Sequence, residues 1–146
     1  MSDLSDLYQS VILDHNRAPR NCRVMTDADR EAEGFNPLCG DRLRVWVRFG
    51  PGDLIEDVSF EGIGCAISQA SASLMTTAVK GKTRTQALEL FERFHDLVAG
   101  EPDTPPERGL GKLQVFEGVR EYPSRVKCAS LAWHALRTAL ADEPAR

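Results

Sequence analysis

The stretch RLRVWVRFGPGDLIEDVSF, residues 42–60, limits the fold more than any other part of the chain. Leu43, Val45, Val47 and Phe49 alternate with Arg42, Arg44, Trp46 and Arg48, the two-residue period of a strand with one buried face. Gly50-Pro51-Gly52-Asp53 then reads as a turn, and Leu54 to Phe60 as the returning strand. The spacing therefore predicts an antiparallel hairpin whose apolar face some other element has to cover.

The rest of the chain supplies that cover at helical spacing. Leu4, Leu7, Tyr8, Val11 and Ile12 form one face of an amphipathic helix over about 3–17, which Pro19 ends. A loop or edge strand leads on to Gly34. Ile67, Ala70, Leu74 and Ala78 mark a second helix with Gly81 suited to its C-terminal cap, and its Ser and Ala content predicts close packing on a neighbour. A third helix is expected from Thr83 to about Val98, and a short one from Glu107 to Gly118. The last is expected from Ser124 to Ala141, with Ala129, Trp133, Leu136 and Leu140 buried. The proline-rich GEPDTPPERG is a loop between elements of one domain. A small antiparallel sheet followed by several helices is the α+β pattern.

Bulk properties exclude some partners. The 146 residues suit one domain, 1–146, and the net charge of −4 argues against nucleic acid, which asks for a basic surface. No apolar run reaches the roughly 18 residues of a membrane span. The acidic start MSDLSDLYQS lacks the basic-then-apolar order of a secretory signal, so the expected location is the cytoplasm, with no membrane partner. Arg42, Arg44 and Arg48 share one side of a strand, either a solvated face or a docking surface for an acidic protein.

The cysteines raise the question of chemistry. In a reducing compartment four of them are more readily buried thiols, metal ligands or reactive thiols than disulfides. Cys39 and Asp41 flank Gly40 at the mouth of the first hairpin strand, Cys65 follows a Gly-x-Gly bend at a helix start, and Cys128 lies near the start of the last helix. If those ends meet at one edge of the sheet, three thiols and a carboxylate suit tetrahedral zinc. Arg125 and Lys127 would offset the negative charge. Spacing alone leaves three unrelated core cysteines equally open.

The segments CGDRLRV, FEGIGCAISQASASLMTTAVKGKT and RVKCASLAW, with the opening YQSVILDHNRAPRN, resemble the U-type iron–sulfur assembly family, the IscU/SufU proteins, over about residues 8–140. The chain is more similar to the SufU branch. Lys127 stands where a scaffold-type protein has histidine before its third cysteine, the segment between KGKT and that cysteine is longer, and Tyr122 to Lys127 replaces the Leu-Pro-Pro-Val-Lys motif.

The resemblance implies a SufE/NifU-like fold and zinc held by Cys39, Asp41, Cys65 and Cys128. It implies a sulfurtransferase or desulfurase activator more than a stand-alone enzyme, which takes persulfide sulfur from a SufS-type cysteine desulfurase and serves downstream iron–sulfur scaffold proteins. Cys39, a thiol on a loop, is the expected acceptor, and Arg125 and Lys127 are expected to contact the partner or stabilise charge. The alternatives are a scaffold for a transient [2Fe–2S] cluster and a structural zinc module. Cys22 has no family counterpart and reads as incidental. His15 is expected to cap the first helix at the surface, His95 to be partly exposed, and His134 to face away from Cys128. Trp46 is expected to project with the arginines, and Tyr8 to lie in the core.

Overall fold

The computed structural model describes residues 3–37, 40–100 and 109–141. Its order is α1 (Asp3–Arg17), β1 (Arg30–Asn36), β2 (Asp41–Gly50), β3 (Leu54–Ile63), α2 (Ala66–Val79), α3 (Arg84–Ala99), a 3-10 segment (Gly111–Glu121) and α4 (Pro123–Ala141). The sheet is antiparallel in the order β1-β2-β3, so the fold is α+β as the patterns predict. The loop 101–108 lies outside the described residues. Among the described residues no helix is long and apolar enough to cross a membrane.

The alternation in β2 does what it predicts: Leu43, Val45 and Val47 are fully buried, and with Val58 and Phe60 of β3 they form the inner face. α4 lies over this face against β1 and β2, and its other side packs on α2 and α3. α2 is buried on nearly all sides, and its small residues allow that. Ser71 Oγ sits between the helices, donating to the Ala129 carbonyl at 2.5 Å and accepting from Trp133 Nε1 at 3.1 Å. Thr83 and Gln86 start α3 with a reciprocal capping box, which satisfies two otherwise unpaired backbone N–H groups.

Four expectations need correction. The short helix before α4 is a 3-10 segment, and Leu113, Phe116 and Val119 recur every three residues, the period of that helix. Leu7 is 52% exposed, because Val11, Ile12 and half-buried Tyr8 already fill the contact of α1 with the core. Trp46 does project with the arginines, yet it is only 6% exposed. The chain between α1 and β1 runs along that end of the sheet, with Met25 buried and Val24 lining the same hollow as Trp46. The arginines themselves face acids: Arg44 lies 3.1 Å from Glu31, and Arg48 lies 2.6 Å from Asp27 and 3.3 Å from Glu56. That is a solvated, self-compensated face.

His15 is the fourth correction. It is 2% exposed, with Nδ1 2.6 Å from Ser73 Oγ on α2. Ser73 Oγ also accepts from the Arg20 backbone N–H at 2.8 Å, which leaves its own proton to donate to a neutral imidazole. Burial pushes the His15 pKa below its ordinary value, and the nearby Arg20 charge adds to this. His134 is lowered in the same direction by burial, with His95 and Arg137 beside it. A folded histidine pKa below the unfolded one means that the unfolded chain binds more protons in the window beneath about pH 6.5, so stability drops on acidification there. The urea midpoint is expected to fall between pH 7.5 and 5.5, and to fall less in His15→Gln. A midpoint that is level or rises over that range would contradict this.

Candidate metal centre

Strand register brings the carboxylate to the site. Asp41 is in phase with Leu43, Val45 and Val47, so its side chain points to the inner face, and it pairs with Asn36 at the end of β1. Gly40 before it takes a left-handed φ of +73°, a conformation that glycine adopts without the usual side-chain penalty. β3 ends at Ile63 opposite Arg42, so Gly64 and Cys65 emerge beside Asp41. Gly62 is required there: with φ +150°, an added Cβ would sit 2.1 Å from the Arg42 carbonyl oxygen.

Cys65 is the N-cap residue of α2. Its backbone N–H donates to Asp41 Oδ1 at 3.0 Å, and its Sγ lies 3.6 Å from Asp41 Oδ2 and 3.6 Å from Ser68 Oγ. Cys128 arrives from the second turn of α4, 4% exposed, with Asn36 Nδ2 4.0 Å from its Sγ. The neighbouring Ala129 carbonyl is bonded to Ser71, which ties the start of α4 to α2. Three elements thus bring one ligand atom each from Asp41, Cys65 and Cys128 to within 4.8 Å of one another.

This arrangement fits a metal ion. Zinc–thiolate and zinc–carboxylate distances of about 2.3 and 2.1 Å at a tetrahedral angle place S and O about 3.6 Å apart, the separation between Cys65 Sγ and Asp41 Oδ2. Asp41 is also 1% exposed and makes no ion pair among the described residues. A buried carboxylate normally has a cation or a metal as partner. The described donors leave a fourth tetrahedral position, and Cys39, the fourth ligand expected from the sequence, lies outside the described residues.

Arg125 and Lys127 are exposed on the first turns of α4; the Arg125 guanidinium lies 4.6 Å above the Tyr122 ring. Lys127 lines a groove between β1 and α4 with Phe35, Asn36, Pro37, Leu131 and His134. Cys22 is exposed, bridges to Phe60 through the backbone, and is not part of the cluster. His95 is half-buried and packs with Phe91 and the ring of His134. Tyr8, expected in the core, packs half-buried against it, edge-on to Phe116. Burial raises its pKa above the ordinary value, Arg125 pulls it back, and the thiols of Cys65 and Cys128 push it further up.

The comparisons with known proteins converge. The family model described as the NifU-like N terminal domain matches residues 7–129. The zinc-dependent sulfurtransferase SufU of Bacillus subtilis is 42% identical over 142 residues, covering 97% of this chain and 95% of that protein. The iron–sulfur cluster assembly scaffold protein IscU of Streptococcus pyogenes serotype M1 is 40% identical over 140 residues, covering 96% of this chain and 86% of that protein. A crystal structure from Fervidobacterium islandicum AW-1, described as a candidate iron–sulfur cluster assembly scaffold for the SUF system, superposes with a TM-score of 0.82 at 37% identity, covering 92% of this chain and 97% of that one.

Proposed function

Because this chain belongs to the NifU-like N-terminal domain family, we propose that it serves iron–sulfur cluster assembly as a SufU-type, zinc-holding sulfurtransferase that accepts persulfide sulfur from a SufS-type cysteine desulfurase. The observation that carries this reading is the convergence of Asp41, Cys65 and Cys128 at the end of the sheet, in a chain 42% identical to a zinc-dependent sulfurtransferase. Cys39 completes the ligand set and is the acceptor. When bound, zinc holds the cysteine sulfurs in their anionic form.

The transfer balances without an outside oxidant. The Cys39 thiolate attacks the outer sulfur of the donor persulfide, a new S–S bond forms on Cys39, and the donor's S–S bond breaks. The donor cysteine leaves as a thiolate. Asp41 keeps the start of α2, and with it Cys65, in place through the Cys65 N–H. Arg125 and Lys127 put positive charge on the exposed turns beside the site and contact the desulfurase. Downstream scaffold proteins receive the sulfur, and residues 1–146 act as one domain.

The test is sulfur transfer itself. Incubated with a SufS-type desulfurase and sulfur-labelled L-cysteine, the wild-type chain should acquire label that a thiol reductant releases, and desulfurase turnover should rise. Cys39→Ala should abolish both effects. Full labelling of Cys39→Ala, or no labelling of the wild type, would overturn the proposal.

A second reading is favoured by the 40% identity to an IscU scaffold: the same residues hold a [2Fe–2S] cluster as cargo. Lys127 counts against it, since a protonated ammonium does not ligate a metal.

A further inference from the structure

Strand β1 has an outer edge that the fold does not use. Among the described residues β2 is its one strand neighbour, and the backbone of Glu31–Phe35 makes no other backbone hydrogen bond. In an antiparallel strand alternate N–H and C=O groups point to either side, so this edge carries a row of open donors and acceptors. At about 3.3 Å per residue, those five residues offer an edge of roughly 16 Å.

A groove of about 390 Å³ follows that edge, and Glu33, Gly34, Phe35, Asn36 and Pro37 line it in unbroken succession. Successive strand side chains point to opposite faces, so an unbroken run lines a groove only along the strand's edge. The far wall is α4, where Lys127, Ser130, Leu131, His134, Ala135 and Thr138 follow the three- and four-residue spacing of one helical face. Gly34 lets that wall stand close, since an added Cβ would sit 3.0 Å from Leu131 Cδ1. An open strand edge is the feature that takes an extended peptide as an added strand.

Charge narrows the choice of peptide. Glu33 is turned toward Arg42 and Arg44, 3.8 Å from each. Lys127 makes no ion pair among the described residues, so the uncompensated charge of the groove is positive and stands next to Cys128. A second copy of this chain fits poorly, because pairing β1 on β1 sets Glu31 and Glu33 against the same acids.

We propose that the groove between β1 and α4 binds an extended segment of a partner protein, added to the sheet along Glu31–Phe35, with a carboxylate of that segment on Lys127. Backbone pairing supplies the affinity, and the lysine supplies the preference for acidic segments. The bound segment holds its parent protein beside Cys128. This goes beyond sulfur acceptance and requires no metal at the centre.

Selection of a displayed library of random linear peptides on the full chain tests it. Enriched peptides should carry an acidic residue, and a synthetic copy of the strongest should slow hydrogen exchange at backbone amides within Glu31–Phe35. Lys127→Glu should weaken that peptide about tenfold, the worth of one charge-assisted hydrogen bond. Thr138→Trp, which fills the groove from an exposed position, should weaken it at least as much, whereas Lys112→Glu, at an exposed lysine of the 3-10 segment, should not. All three variants should melt at the wild-type temperature. No enriched peptide, enrichment without acidic residues, or binding that leaves those amides unprotected would overturn the proposal. So would slow exchange of the same amides in free protein that sediments as a dimer, since a second copy then fills the edge. A failed selection leaves the sulfur-transfer reading in place, because labelling reads that independently.

Discussion

Replacing Cys65 by alanine should weaken zinc binding by about two to three orders of magnitude, while the metal-free protein keeps its fold. The affinity estimate follows from sharing the roughly 10–16 kcal/mol of a four-ligand zinc site among its ligands, which gives about 2.5–4 kcal/mol each. The fold should survive because the Cys65 side chain stands at the helix entrance, half-buried, and the core is built without it. Its backbone N–H, which Asp41 needs, is unchanged by the substitution. Competition with a chromophoric chelator measures the affinity, and thermal unfolding in chelator measures the fold. Affinity within threefold of wild type would remove Cys65 from the ligand set.

Asp41 has two tasks, which two substitutions separate. Asp41→Ala should lower the stability of the metal-free protein by about 1–3 kcal/mol, because the Cys65 N–H loses its acceptor at a half-buried position. Asp41→Asn keeps an oxygen where Oδ1 stands and should recover most of that stability. It removes the anionic oxygen that lies 3.6 Å from Cys65 Sγ, so zinc affinity should remain at least tenfold below wild type in both variants. If Asp41→Asn restores affinity as well as stability, the carboxylate is a structural hydrogen-bond acceptor and not a ligand. Urea unfolding in chelator, paired with zinc competition, reads the two effects independently. Since a bound ion stabilises the folded state by mass action, the stability comparison has to be made metal-free.

Much of this arrangement was legible in the chain, and what was hidden has a common cause. Helix α1 and the hairpin follow from hydrophobic period alone, because each buries one face against one neighbour. The same period puts Asp41 in phase with Leu43, Val45 and Val47, so a carboxylate on the core side was written into the pattern and called for a partner. That Cys65 and Cys128 lie beside it depends on the crossing of α2 and α4, which local pattern does not encode; the family resemblance did. Burial from a distant segment explains the misreadings. His15 carries the dipole-favoured chemistry of a helix end, but α2 lies over it. Trp46 alternates correctly and is still covered. In the segment Gly111–Glu121, Leu113, Phe116 and Val119 fit a three-residue period, but that period resembles an α-helical face over so short a run.

The measurement that bears most directly on the central claim is the metal and acid-labile sulfide content of protein purified anaerobically without added metal. A zinc-holding sulfur acceptor predicts zinc equimolar with the chain and no labile sulfide. Iron with a matching amount of sulfide would contradict it and assign the Asp41, Cys65 and Cys128 centre to holding a cluster.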